Sequence, residues 1–192
     1  MGRLLKTTLS FALLLACQVS VADYEAGLIA AQNGDYELAY EEFKLAAEEG
    51  EAIAQFNLAI LYFGGQGVAQ NFTEAFRWTH AAAQQGHVAA QFNLGALYYE
   101  GQGTERDPAA AFEWYARAAD LGYPPAQYNL ADMYASGTGV DKDLVNAHAW
   151  ANTALGNDYL GAEDLIEQLE AEMSGDQLSE ARRLYARMQI GR

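Results

Sequence analysis

The sequence is poor in three features on which several classes of protein depend. Cys17 is the single cysteine in 192 residues, so a chain cleaved beyond it can form no disulfide and no thiolate metal site. Only 11 Lys and Arg residues stand against 26 Asp and Glu residues, for a formal net charge of -15. This shortage of cations argues against binding to nucleic acid or to an anionic membrane surface. After the N-terminal segment, no apolar run approaches the roughly 20 residues needed for a transmembrane segment.

The first 22 residues have the pattern of a bacterial secretory signal. Arg3 and Lys6 give a basic start, residues 9–16 form a short apolar run, and the segment ends on small residues. We therefore predict cleavage after Ala22 and a periplasmic or secreted mature protein. The letters LLAC, which end at Cys17, offer an alternative. They resemble a lipobox, in which the cysteine is acylated and the product is an outer-membrane lipoprotein.

The main feature of the remaining chain is a repeat of 36 residues. Shifting the sequence by this period superimposes small, apolar and glycine positions in three successive copies. A fixed period of this length is typical of solenoids, in which each unit buries its apolar face only against its neighbours. The matching positions are Ala54, Ala90 and Ala126; Leu58, Leu94 and Leu130; Tyr62, Tyr98 and Tyr134; Gly65, Gly101 and Gly137; Gly67, Gly103 and Gly139; Trp78, Trp114 and Trp150; and Ala82, Ala118 and Ala154.

Each repeat is predicted to form two helices. In the first helix, Ala54, Leu58 and Leu61 recur at helical spacing along one face. Gly65 then suits the left-handed C-terminal cap that ends this helix, and the lysine that completes a phosphate-binding loop is missing. The second helix is predicted to carry a tryptophan that fills space between helices, in preference to an aromatic ligand site. Its predicted N-caps are Asn71, Asp107 and Asp143.

The two ends of the array differ from its middle, as repeat arrays require. A tight turn at Gly34 and Asp35 divides a shorter N-terminal helix pair. The last helix is predicted over about 176–188, and glutamates give the preceding helix a polar outer side. The predicted divisions are residues 1–22 (signal), 23–53 (N-terminal helix pair), 54–89, 90–125 and 126–158 (three repeats) and 159–192 (C-terminal capping pair).

The stretches ALYYEGQG, DPAAAFEWYARAADLG and ASGTGVDKD carry a resemblance to a known family. They resemble the Sel-one-like repeat, a branch of the tetratricopeptide-like α-solenoids. The resemblance is strong over about 54–155 and weaker in the flanking pairs. It implies an all-α fold, a right-handed α-solenoid of stacked antiparallel helix pairs, and a role as an adaptor or assembly factor with protein partners. Architecture is the more specific of these implications, because one fold serves many functions.

An enzymatic function is not expected, and we predict neither a cofactor nor a metal site. A cysteine-rich branch of the same family is reported to act on β-lactams, but its cysteine pairs and a Ser-x-x-Lys motif are both absent here. His80, His87 and His148 do not recur in register, and His148 takes a position that Phe76 and Phe112 occupy in other repeats. No His-Glu-x-x-His spacing provides a zinc site. A periplasmic hydrolase of the β-lactamase-like type is kept as an alternative.

The repeated asparagines Asn57, Asn93 and Asn129 raise a separate question, because they interrupt an apolar helix at the same place in each unit. By resemblance to tetratricopeptide repeats, they lie on the concave groove and bond the backbone of an extended peptide. The alternative is that each one bonds the neighbouring repeat and orders the stack. The predicted peptide-binding residues are Phe56, Asn57, Ile60, Phe63, Phe92, Asn93, Tyr99, Tyr128, Asn129 and Asp132.

These observations predict an exported scaffold that binds a protein segment in its concave groove and assists assembly or regulation of a cell-envelope complex. Asp132 and Glu100 make the groove acidic, and the cations of a carboxylate clamp are missing. The predicted partner segment is therefore neutral or basic. A second alternative is a lipid-anchored structural subunit of an export or motor apparatus, with the anchor at Cys17.

Overall fold

The computed structural model describes residues 24–190. The predicted signal, its cleavage after Ala22 and the lipobox ending at Cys17 lie outside the described residues. Within 24–190 the chain is helical and contains no strand. The helices are α1 (Tyr24–Gln32), α2 (Tyr36–Glu48), α3 (Ala52–Gly64), α4 (Phe72–Gln84), α5 (Val88–Glu100), α6 (Pro108–Asp120), α7 (Pro124–Ser136), α8 (Leu144–Gly156), α9 (Ala162–Glu172) and α10 (Gly175–Ile190).

The helices form an α-solenoid of stacked pairs, as the sequence predicts. From α1 to α9 each helix packs against the next one along the chain, and α10 packs back against α8. Helices α3, α5 and α7 begin at residues 52, 88 and 124, two residues before the positions 54, 90 and 126 at which the repeat match becomes strong. The first turn is less alike between units than the rest, since it reads Ala-Ile, Val-Ala and Pro-Pro.

The predicted N-caps are confirmed at the start of α4, α6 and α8. The side chain of Asn71 accepts hydrogen bonds from Thr73 N and Glu74 N, both at 3.1 Å. Asp107 accepts two equivalent bonds at 3.0 Å, and Pro108 takes the first helical position. Asp143 accepts one from Asn146 N at 3.0 Å. These acceptors satisfy backbone N–H groups that have no partner inside the helix.

The predicted glycine caps are also confirmed, and they have a second role. Gly101 ends α5 with a φ of 72° and donates to Leu97 O, as the left-handed cap requires. The next glycine, Gly103, has a φ of 75° and lies so close to the carbonyl of Phe72 that a Cβ could not fit. Phe72 is the first residue of α4, in the preceding unit. The same approach occurs between Gly67 and Tyr36 and between Gly139 and Pro108.

Small side chains fill the centre of the stack. The repeated alanines at 54, 90 and 126 and at 82, 118 and 154 are all 0% exposed, so neighbouring helices approach closely. Trp78 and Trp114 are buried in this core, as predicted. The guanidinium groups of Arg77 and Arg117 lie over these rings, with guanidinium carbons 3.9 and 4.4 Å from the ring centroids. The alanines therefore set the helix spacing, while the tryptophans fill the wider gaps.

The C-terminal pair covers the last repeat. Leu165, Leu169 and Ala181 are buried against α8, while the glutamates of α9 at 163, 167, 170 and 172 are exposed. His148, only 3% exposed, places its Nε2 3.1 Å from Glu170 Oε1. The histidine is therefore a packing residue that contacts the C-terminal pair. Among residues 24–190, none of the helices combines the length and apolarity of a membrane span.

Candidate functional site

The predicted peptide-binding residues all lie on α3, α5 and α7, the first helices of three consecutive pairs. Their exposure differs. Ile60 and Phe63 are 41% and 42% exposed, and Asp132 is exposed as well. The other seven are partly buried. We call the face that α3, α5 and α7 share the first-helix surface.

The first-helix surface contains a cavity of about 210 Å³ between the α3–α4 pair and α5. Its walls are mostly apolar, and its polar side chains are those of Thr79, Asn93 and Gln102. We call it the apolar cavity. The exposed side chains of Ile60 and Phe63 form part of its lining. The full lining is Ala59, Ile60, Phe63, Ala75, Thr79, Asn93, Ala96, Leu97 and Gln102.

A second cavity of about 240 Å³ lies one repeat further along, and its lining is polar. We call it the acidic cavity because Glu100 and Asp132 contribute to it. Five of its six lining residues stand 36 positions after a residue of the apolar cavity. The equivalent pairs are Phe63 and Tyr99, Thr79 and Tyr115, Asn93 and Asn129, Ala96 and Asp132, and Leu97 and Met133. The two cavities are therefore the same place in successive repeats with different side chains.

The electrostatics of the acidic cavity centre on Tyr115. Burial raises the pKa of this tyrosine to about 12, the negative charge of Glu100 adds to the increase, and a hydrogen bond with Asn129 acts in the opposite direction. Tyr115 therefore stays neutral at physiological pH. Within residues 24–190, neither Glu100 nor Asp132 forms an ion pair.

The three repeated asparagines have different environments. Asn57 donates to the hydroxyl of Tyr24 at 3.2 Å and to Ile53 O at 3.0 Å, so it is bonded to the preceding helix pair. Asn129 lines the acidic cavity together with Tyr115 of α6, and its interaction with that hydroxyl lowers the pKa of Tyr115. Asn93 lines the apolar cavity, and its side chain makes no hydrogen bond within the described part of the chain. A measured hydrogen bond to the preceding pair is thus present at Asn57 and missing at Asn93, while Asn129 faces the Tyr115 hydroxyl.

Three predicted aromatic anchors are engaged in packing between pairs and line neither cavity. The ring of Phe56 lies 4.6 Å from that of His87, and the ring of Phe92 lies 5.2 Å from that of Tyr123. Tyr128 packs on Tyr159 at 5.1 Å. The structure therefore brings six of the ten predicted residues to the two cavities and places Asn57, Phe56, Phe92 and Tyr128 in contacts between units.

The residues that sequence analysis missed are three buried glutamines, Gln55, Gln91 and Gln127, which we call the glutamine ladder. Each donates from Nε2 to a carbonyl near the end of the preceding unit, at 3.2, 3.3 and 3.1 Å, to Ala47, Ala83 and Ala119 respectively. These positions were visible as the repeated Gln of AQFNL and AQYNL. They were overlooked because a polar side chain on an amphipathic helix normally faces water.

The glutamine ladder is complete at two of its three steps. Gln55 Oε1 accepts from Gln85 Nε2 at 2.8 Å, and Gln127 Oε1 accepts from Asn157 Nδ2 at 2.9 Å. Gln91 Oε1 is buried without a hydrogen-bond partner in residues 24–190. The residue that would supply its donor, 36 positions after Gln85, is Leu121.

No part of 24–190 groups three or more His, Cys, Asp or Glu side chains in an arrangement that could hold a metal ion. The histidine environments are those of structural residues. His87 is the N-cap of α5, where its Nδ1 accepts from Ala90 N at 3.2 Å. Burial lowers the pKa of His87, which favours the neutral ring that this bond requires.

Comparison with known proteins gives consistent matches. A family model described as Sel1 repeat matches residues 15–51, 52–87, 88–123 and 124–157. A Sel1 repeat protein from Oxalobacter formigenes is 39% identical, with a TM-score of 0.62, and the match covers 67% of this chain and 96% of that protein. A protective antigen of uropathogenic Escherichia coli with an SLR fold is 29% identical, with a TM-score of 0.61, over 86% of this chain. This chain spans 44% of that antigen's length. No curated protein matches the sequence.

Proposed function

Because the chain belongs to the Sel1 repeat family, we propose that it is an exported scaffold that binds a protein segment along its first-helix surface. Proteins of this family are generally scaffolds for protein–protein interaction. The bound segment is proposed to be extended and neutral or basic, and the complex to belong to the cell envelope. The predicted signal in residues 1–22 supports export.

The observation that carries this proposal is the position of Asn93. Its amide has no hydrogen bond in the described chain and lies in the lining of an open apolar cavity, beside the exposed side chains of Ile60 and Phe63. A free amide next to apolar side chains suits a peptide, since the amide can bond its backbone while the cavity accepts a side chain. This combination is also typical of the centre of protein interfaces.

Site-specific photocrosslinking in the native envelope tests the proposal. A photoreactive amino acid replaces Ile60 on the first-helix surface, and a matched variant carries it at Glu113, an exposed position of the second helix α6. We expect a defined protein adduct from position 60 and none from position 113. Equal adducts from the two positions, or none from position 60, would overturn the groove as the binding surface.

The mass of the purified mature protein tests the export part of the proposal separately. Cleavage after Ala22 gives a chain that begins at Asp23, whereas lipobox processing gives an acylated Cys17. Either product supports export and identifies the type of signal. A chain that retains Met1 in the envelope fraction would contradict it.

A further inference from the structure

The two cavities differ in chemistry although they occupy equivalent positions. We propose that the segment bound by this protein is bipartite, with an apolar side chain in the apolar cavity and a Lys or Arg side chain in the acidic cavity, about three residues apart. This inference rests on the proposed function and specifies the partner's chemistry. It commits to a segment of another protein as the occupant.

The apolar lining of the first cavity depends on one small residue on a second helix. In the N-terminal pair, Phe43 packs so tightly on Gly27 that an added Cβ would lie 2.8 Å from its ring. Tyr115 packs in the same way on Gly95, at 2.7 Å. The equivalent residues between them are Ala59 and Thr79, which both line the apolar cavity. The aromatic ring that covers the facing glycine in the neighbouring units is therefore missing here, and Ala59 borders the apolar cavity.

An apolar side chain is the occupant that this space favours. A cavity of about 150 Å³ lined by aliphatic and aromatic groups accepts benzene in other proteins, and the apolar cavity measures about 210 Å³. It is open to solvent at Ile60 and Phe63, which are themselves 41% and 42% exposed. A Leu- or Phe-sized side chain entering from the groove would bury its own surface and that of both rim residues.

A basic side chain is the occupant that the acidic cavity favours. Glu100 and Asp132 face it without an ion pair in the described chain. The nearby cation, Arg106, lies in the loop after α5 and is engaged with the end of that helix: its Nε donates to Tyr99 O at 2.9 Å, and its guanidinium carbon lies 5.5 Å from the Tyr99 ring centroid. The two carboxylates remain available to an incoming ammonium or guanidinium group.

The spacing of the two side chains follows from the repeat. Helices α3 and α5 border the apolar cavity, and α5 and α7 border the acidic cavity, so we place the first helices of successive units about 8–10 Å apart, the usual distance between neighbouring helices. An extended chain advances about 3.3 Å per residue. Equivalent positions in successive units are therefore bridged by about three residues of extended peptide. The pattern expected in the partner is an apolar residue and a basic residue at positions i and i+3, in one order or the other according to chain direction.

Synthetic peptides test this pattern without knowledge of the natural partner. The probes are nine-residue, terminally blocked fluorescent peptides with one Leu and one Lys in a Gly/Ser/Thr background, in both orders and at spacings of two to five residues. Binding to the full mature protein is followed by fluorescence anisotropy. We expect the best probe to have a spacing near three. Replacing its Leu by Ser should weaken binding about tenfold or more, and replacing its Lys by Glu about tenfold.

Two protein variants assign each preference to its cavity. Ala59→Gly with Thr79→Phe copies the Gly27 and Phe43 pair and fills the apolar cavity, so it should remove the Leu preference and keep the Lys preference. Glu100→Gln with Asp132→Asn should keep the Leu preference and remove the Lys preference, so that the Lys and Glu probes differ in affinity by about twofold or less. Ala96→Asp should also remove the Leu preference, because it places a carboxylate in the apolar cavity at the position that Asp132 occupies in the acidic cavity.

The outcomes separate this inference from the function on which it rests. Absence of binding by every probe at about 1 mM, or binding without the two preferences, overturns the bipartite pattern even if crosslinking at position 60 succeeds. Preferences that persist in both variants also overturn it. A homodimer that occupies the surface, seen by sedimentation and dissociated by Ile60→Asp, would replace the proposed partner with a second copy of the chain. Selective loss in each variant, with helicity retained by circular dichroism, supports the inference.

Discussion

The incomplete step of the glutamine ladder predicts a stabilising substitution, Leu121→Gln. At the equivalent place one unit earlier, Gln85 Nε2 donates both to Gln55 Oε1 at 2.8 Å and to Gly50 O at 3.0 Å. Leu121 offers no donor, and Gln91 Oε1 is left unpaired in the described chain. A glutamine at position 121 should restore the first bond and offer the second to the carbonyl of Gly86.

The expected change in the free energy of unfolding is the difference between the hydrogen bond gained and the side-chain entropy lost. Leaving a buried acceptor unpaired costs about 1–3 kcal/mol. Ordering the new glutamine side chain costs up to about 2 kcal/mol of rotamer entropy, and little burial is lost because Leu121 is 58% exposed. We expect a net gain of about 1 kcal/mol in the free energy of unfolding. For a chain of this size, that corresponds to an increase of about 2–4 °C in the melting temperature.

Equilibrium urea unfolding of the mature protein measures this gain, with two controls. Leu121→Met introduces an unbranched side chain of the same length as glutamine but without a donor, so it should give no stabilisation. Leu121→Gln in a Gln91→Met background should also give none, because the acceptor has been removed. If the methionine variant were as stable as the glutamine variant, or if the gain persisted without Gln91, the reasoning from the unpaired oxygen would be wrong.

Two further predictions concern backbone and pH. Gly103→Ala should destabilise the fold by several kcal/mol, because the added Cβ would overlap the carbonyl of Phe72. The control is Gly86→Ala, where φ is 84° and no atom lies within 4 Å of the added Cβ, so it should cost only the left-handed strain of about 1–2 kcal/mol. Equal losses of the free energy of unfolding in urea would contradict the close approach at Gly103. For His87, whose pKa is lowered by burial from 6.5, the unfolded chain binds more protons, so stability is lost as the pH falls below this value. His87→Asn keeps an acceptor for Ala90 N and should reduce this loss of stability, which is measured as the free energy of unfolding on either side of pH 6.5. An identical pH dependence in both proteins would show that His87 is not the group responsible.

The sequence predicts the fold well because the fold is built from local signals that recur. Asn71, Asp107 and Asp143 are N-caps, and the glycines 36 residues apart are left-handed caps. Each of these residues determines the backbone conformation only of the few residues next to it in the sequence. The apolar stripe and the small alanines then leave each pair only its neighbours to pack against. Repetition makes such signals easier to recognise than in a chain that uses each one once.

The candidate site was less predictable because it depends on contacts between helices. The helical face of Asn93 follows from the sequence, but the cavity beside it depends on Thr79, a residue of another helix. The small size of Thr79 matters because the equivalent residues, Phe43 and Tyr115, cover facing glycines with their rings. The glutamine ladder was hidden for a related reason: Gln91 is buried by the preceding unit, which the pattern of a single helix does not reveal.

The close approach of each loop glycine to a carbonyl of the preceding unit has a consequence for how such proteins diversify. Gly67, Gly103 and Gly139 fix the offset between units through their approach to main-chain carbonyls. The residues lining the surface can then be exchanged without altering that offset, as the replacement of Ala96 by Asp132 in the equivalent position illustrates. The backbone offset is therefore constant from unit to unit, while the side chains on the first-helix surface differ from one unit to the next.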